Sequence, residues 1–164
     1  MSQHANRFED TGPIPFTARV RILAIFILFT FLFHFSWEIL QTPLFARMPV
    51  MSHWQATLVC LRATIGDIGI ALAAFGASAL LDRNVAWFLR PSAGALVGYM
   101  AVGVLFTTVF EWHAVYWANR WAYSNLMPVV PLLGIGASPL LQWLVIPPVA
   151  LHLLRRHFRE GGRP

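Results

Sequence analysis

Four long apolar runs separated by short polar stretches organise this chain. They extend from about Val20 to Leu40, Ala63 to Leu81, Ala93 to Ala118 and Ser138 to Leu154. Apolar runs of about 18 residues or more are long enough to cross a bilayer as helices. The pattern therefore predicts an all-α, single-domain bundle of four transmembrane helices over about residues 20–40, 63–81, 93–118 and 138–154. Ser52 followed three residues later by Gln55 has the form of a capping box, so the second helix is expected to start near His53 as an interfacial extension. Residues 1–18, with Gly12, Pro13 and Pro15, read as a flexible tail, and 155–164 as a basic tail. The first run is too long for a signal-peptide core and lacks a small-residue cleavage site, so it is expected to be retained.

Punctuation refines the spans. The connection from Asn119 to Gly136 is rich in proline and glycine. Ser138-Pro139 suits a helix N-cap followed by the first helical position. Pro147-Pro148 removes two backbone donors from the fourth span and predicts a kink there. Gly94 and Gly98 form a GxxxG motif, while Gly69, Ala73 and Ala77 line one side of the second span. Both patterns suit close helix contact within the bundle, in a homo-oligomer or in a larger membrane complex.

Composition confirms the class and removes others. Of the 164 residues 57% are apolar and only 12% charged, far from a soluble domain. All 12 basic residues are arginine. The absence of lysine excludes a lysine Schiff base, hence retinal or pyridoxal chemistry, and a Walker-type phosphate loop. A single cysteine, Cys60, excludes an internal disulfide and a four-thiolate metal site. The net charge of +5 does not imply nucleic acid, because the arginines sit at the ends of apolar runs rather than on one patch.

The arginines also orient the chain. Arg7, Arg19, Arg21, Arg83, Arg90, Arg155, Arg156, Arg159 and Arg163 fall on one side, against Arg47, Arg62 and Arg120 on the other. Nine against three predicts an up-down-up-down inner-membrane protein with both termini cytoplasmic.

Costly residues interrupt the apolar runs on that frame. Thr30, His34, Glu38 and Gln41, spaced by four, four and three, share one face of the first span. Asp67, Glu111 and Gln142 fall at a similar depth on the other three. An intramembrane carboxylate costs about 2.5–3.5 kcal/mol by insertion scales and normally faces a cavity or a partner. The expectation is an outward-opening polar pocket with Glu38, His34, Asp67 and Glu111 as acid–base residues. Thr30, Trp37, Gln41, Arg62, Arg120, Trp121, Tyr123 and Gln142 would line it. Salt bridges from Glu38 and Glu111 to Arg62 or Arg120 are the structural alternative.

His34 and Glu38 lie one turn apart, so with Asp67 and Glu111 they form a possible zinc or iron ligand set, although the paired ExxH of a ferritin-like dinuclear site is absent. A b-type haem between His34 and His113 is a further option. A desolvated carboxylate acting as a general acid or in a proton relay accounts for the cluster more directly. The cofactor remains open at this point.

The stretches HFSWEILQTPLF, RATIGD, RWAYSNLMP and SPLLQW resemble a group of small, functionally uncharacterised bacterial four-span membrane proteins across most of the chain. More distantly, Trp121-x-Tyr123, the glycines that follow and Pro139 are similar to a stretch in membrane-embedded lycopene cyclases and related carotenoid-modifying proteins. That resemblance implies a long polyene substrate and carboxylates after the proline. Here Leu140, Leu141 and Gln142 follow Pro139, so the acid would have to come from Glu38 or Glu111. Two functions are thus expected: binding, with acid–base conversion, of a lipid-like or isoprenoid molecule, or service as a non-enzymatic accessory subunit docking through Gly94 and Gly98. A small-solute carrier is the third, weakened because the polar groups gather at one end.

Overall fold

A computed structural model of the protein describes residues 15–160, and among these the fold is all-helical. The expected tail over residues 1–14, with Arg7, and the terminal Arg163 lie outside the described residues. Four long helices form the bundle: α1 (Phe16–Leu40), α2 (His53–Leu81), α3 (Ala93–Trp112) and α4 (Ala137–Glu160). Each is long and apolar enough to cross a membrane, the third counted through Trp117. Helix α1 packs on α2 and α4, and α3 packs on the same two. The only pairings of extended backbone among the described residues are isolated bridges, Phe45 with Tyr123 and Val129 with Gly136.

Helix ends follow capping chemistry more closely than hydropathy. The Ser52 hydroxyl accepts from the Gln55 amide while Gln55 Oε1 accepts from the Ser52 amide, so the predicted capping box starts α2 at His53 and the helix runs unbroken into the apolar span. Ser92 caps α3, accepting from the Ala95 amide at 3.0 Å while donating to Asp82 at 2.6 Å. Two ends extend further than the apolar runs do. Helix α1 already includes Phe16, Thr17 and Ala18, expected in the tail, and the Arg21 guanidinium lies 5.6 Å over the Phe158 ring. Helix α4 continues past Leu154 through the basic segment to Glu160, because Phe158 is buried and Arg156 pairs with Glu160 one turn on.

The buried lines of α1 and α3 repeat every four residues. In α1 they are Ala18, Ile22, Phe26, Thr30, His34 and Glu38, and in α3 Ala95, Tyr99, Gly103, Thr107 and Glu111. These are the i±4 rows of a helix surface, which pack into the grooves of a neighbour. One half of each line carries hydrocarbon. There Phe75 sits among Phe26, Trp87 and Phe88 at ring-centroid distances of 4.7, 5.4 and 6.0 Å. The Ser78 hydroxyl ties α2 to α3 at that end by donating to the Ala95 carbonyl at 2.9 Å.

The GxxxG motif is used within the chain at one of its two glycines. A Cβ on Gly98 would lie 2.9 Å from Leu81 Cδ1, so this position lets α2 approach α3 closely. Gly94 meets only Ser92 Oγ, at 3.9 Å. The close contact expected at Gly69 is not formed, since a Cβ there would meet nothing within 4 Å.

Candidate functional site

The polar half of each buried line converges at the other end of the bundle. Trp143 forms its floor. A Cβ on Gly103 would stand 2.2 Å from the Trp143 ring, so only glycine leaves room for the indole between α3 and α4. The His34 ring stacks at a tilt against the other side, 5.2 Å between centroids. Hydrogen-bonded side chains predominate above this indole, and aromatic and aliphatic core predominates below it.

Gln142 is the hub. Its Nε2 lies 2.7 Å from His34 Nδ1 and 2.9 Å from Asp67 Oδ2, while His34 Nδ1 and Asp67 Oδ2 are themselves 3.1 Å apart. Three atoms from α1, α2 and α4 thus form a triangle. The amide nitrogen can only donate, so in this geometry Nδ1 of a neutral imidazole accepts one of its hydrogens while the Asp67 carboxylate takes the other.

Glu38 ends a second set of bonds. The Trp37 indole N–H donates to Ser138 Oγ at 3.2 Å, Ser138 donates to Gln41 Oε1 at 2.8 Å, and Gln41 Nε2 donates to Glu38 Oε1 at 2.7 Å. All three bonds point the same way, towards the carboxylate, so each polarises the next. The main chain of Glu38 is engaged too, accepting from Cys60 Sγ at 3.6 Å.

Glu111 is held by the loop that follows it. After α3 the chain makes a wider turn over His113–Trp117, and Asn119 adopts φ 47°. That reversal returns Trp121 and Tyr123 to Glu111 Oε2, with the phenol donating at 2.5 Å and the indole at 3.4 Å. Burial, then the hydrogen bond to Glu111, pushes the Tyr123 phenol above its ordinary pKa and keeps it a donor. The returning segment is pinned to the α1–α2 connection: Ala46 donates to the Ala122 carbonyl, and Ser124 to the carbonyls of Leu44 and Pro43, each at 2.9 Å. Phe45 packs edge-on to Trp121 and tilted against Tyr123. The two connections together roof the polar end.

Ten of the twelve residues expected from sequence meet here: Thr30, His34, Trp37, Glu38, Gln41, Asp67, Glu111, Trp121, Tyr123 and Gln142. The other two do not. Arg62 and Arg120 are exposed, and neither pairs with Glu38 or Glu111. Arg62 projects from the exposed face of α2 and Arg120 from the connection after α3, and both long side chains reach outwards, away from a cluster buried between helices. The three carboxyl groups are met by amide, phenol, indole and imidazole groups in place of guanidinium. Among the described residues no three His, Cys, Asp or Glu side chains stand together as a metal-ligand set, so His34, Glu38, Asp67 and Glu111 are not gathered round one point. His34 is buried and His113 exposed, so the two imidazoles do not face one haem pocket.

Two features were not foreseen. Ser138, expected as a cap, lies inside the first turn of α4 and spends its hydroxyl on Gln41. Trp143, given no role by the spacing of polar residues, is the floor. The signal for the second was the pairing of a large residue with Gly103, which one sequence cannot reveal.

The threonines complete the geometry. Thr64 and Thr108 each donate to the carbonyl four residues back, at 2.9 and 2.8 Å. Thr30 and Thr107, one turn below His34 and Glu111, are equally buried, yet their hydroxyls have no partner. No protein-family model, curated protein or solved structure matches the chain.

Proposed function

We propose that the protein is an inner-membrane protein of the up-down-up-down type, with both termini cytoplasmic, that binds a lipid-like or isoprenoid molecule and acts on it by acid–base chemistry. The arginine asymmetry supports the orientation. The Pro147-Pro148 pair lies within α4 one turn after Trp143, where two missing backbone donors favour a bend under the site.

One observation carries the ligand reading: the unpartnered hydroxyls of Thr30 and Thr107. A buried hydroxyl without a partner costs about 1–3 kcal/mol. Each could bond its own helix, as Thr64 and Thr108 do, and neither does. Polar groups of a ligand held inside the bundle, which α1 and α3 face from opposite sides, would satisfy them. Glu38 is the proton donor in this reading, its carboxyl oriented by the Gln41 amide at the end of the Trp37–Ser138–Gln41 series, and His34 with Asp67 is the base that takes a proton from the protonated ligand. Glu111 and Tyr123 hold the roof over the reacting group. The distant likeness to polyene-modifying membrane enzymes suggests an isoprenoid, with Glu38 supplying the acid that the residues after Pro139 lack.

The test is mass spectrometry of lipids that co-purify with the wild type and with Glu38→Gln. The substitution keeps size and hydrogen bonding but removes the transferable proton. It is expected to trap unconverted ligand and to alter the lipid and carotenoid profile of the producing cells. An unchanged ligand and an unchanged profile would end the proposal. The accessory-subunit reading has weaker support, since Leu81 already occupies the space in front of Gly98.

A further inference from the structure

A second site stands outside the polar cluster, on the flank of the bundle. The α1–α2 connection and the first turns of α2 shape a cavity of about 500 Å³, within the usual range for small-molecule pockets. Arg47 and Arg62 line it together with Gln55, Met51, Leu58 and Val59. Neither guanidinium is hydrogen-bonded or ion-paired to another described residue. Two unneutralised cations thus share one concave space whose remaining walls are largely hydrocarbon.

The surface beyond the cavity continues that asymmetry. One and two turns past Arg62 on the same face of α2 lie Gly66 and Gly69, both exposed, and a Cβ at either would meet nothing within 4 Å. A shallow lane, lowered at Gly66 and Gly69 and flanked by the exposed Ile65, therefore leads from the cationic cavity down the apolar helix. Cations at the head, apolar walls and a shallow lane match an anionic amphiphile. A phosphate takes bidentate hydrogen bonds from guanidinium, and a hydrocarbon chain fills the lane.

We propose that this cavity binds one phospholipid of net negative charge from the surrounding bilayer, its phosphate between Arg47 and Arg62 and a hydrocarbon chain along Val59, Gly66 and Gly69. The site is independent of Glu38 and of the ligand proposed there. Generic attraction of interfacial arginines to headgroups would act equally at Arg120, which is exposed and outside the cavity. That difference makes the proposal testable.

The experiment uses the full chain in micelles containing equal amounts of phosphatidylglycerol and phosphatidylcholine, with retained lipid counted by native mass spectrometry. The wild type is expected to keep one phosphatidylglycerol in preference to phosphatidylcholine. Arg47→Gln and Arg62→Gln should each weaken retention roughly 5-fold, and the double variant roughly 30-fold, from about 1 kcal/mol per arginine at an anionic lipid surface. Arg120→Gln should leave retention unchanged, and Gly66→Leu, which fills the lane, should lower it with both arginines intact. Inorganic phosphate at millimolar concentration should fail to displace the lipid, because it lacks the chain. Equal loss in Arg120→Gln, full retention in the double variant or in Gly66→Leu, or complete displacement by inorganic phosphate would each overturn the proposal. So would a stable dimer that carries no lipid.

Discussion

Along α1 the buried line runs Ala18, Ile22 and Phe26, then Thr30, His34 and Glu38; along α3 it runs Ala95, Tyr99 and Gly103, then Thr107 and Glu111. The same rows of the same helices thus build an apolar half and a polar half, divided by the Trp143 indole. The apolar half is held by shape: aromatic rings interlock around Phe75, and Ser78 fastens α2 to the start of α3. The polar half is held by direction: apart from the Thr30 and Thr107 hydroxyls its side chains bond named partners, and most of those bonds cross between helices or reach into a loop. Lipid tails offer helices no hydrophobic gain on association, so packing and interhelical hydrogen bonds must do the holding. This bundle divides those two means between its ends. A half held by packing has nothing left to exchange with a ligand; a half held by hydrogen bonds does.

Removing the centre of the apolar half should have the largest effect on stability. Phe→Ala costs about 3–5 kcal/mol in a water-soluble core. In a bilayer the dissociated helix keeps its side chains in hydrocarbon, so the transfer part is lost and the packing part remains. Phe75→Ala is therefore expected to cost about 2 kcal/mol, read as a shift in the unfolding midpoint in mixed micelles. It should leave the ligand complement of the polar half in place, and a variant that lost its ligand while remaining folded would erase the division.

The two halves were not equally legible in the sequence. The spans, the capping box at Ser52 and the polar face Thr30, His34, Glu38, Gln41 follow from spacing, and the structure contains them. Spacing speaks within a helix and is silent between helices. It placed Asp67 and Gln142 at a common depth but could not pair both with His34, and it drew Arg62 and Arg120 inward when their length takes them outward. The roof was hidden for the same reason. The bonds of Leu44 and Ala46 to residues 122–124 join segments about 80 residues apart through backbone groups, which carry no sequence signature. Helices α1 and α4 reach beyond the apolar runs, to Phe16 and through Glu160, because Ala18 and Phe158 still pack in the bundle there, whereas hydropathy reports only where lipid begins.

A smaller effect is expected from the polar half, and its form distinguishes direction from shape. Gln142→Leu removes the hub and leaves His34 and Asp67 to each other, costing about 1–2 kcal/mol by the loss of buried partners. Adding His34→Leu removes one of the stranded groups, so part of the loss should return. The coupling between the two positions should lie near 0.6 kcal/mol and not beyond about 1.7, the range for side-chain bonds between membrane helices. Strict additivity of the two substitutions would mean that the 2.7 Å contact contributes nothing, and the polar half would then be held by packing like the other.

The smallest change probes the orphan hydroxyls. Thr30→Val with Thr107→Val replaces each hydroxyl by a methyl of nearly the same size, so it introduces no cavity and removes two buried groups without partners. In protein stripped of ligand by repeated detergent exchange, the double variant should be more stable than the wild type by a few tenths to about 1 kcal/mol. In protein purified gently the sign should reverse or vanish, because the wild-type hydroxyls then bond the ligand and the valines cannot. The comparison needs only two preparations of each protein and one unfolding curve for each. A gain of equal size in both preparations would mean that nothing ever satisfies Thr30 and Thr107, and the polar half would be a closed network with no opening for a substrate.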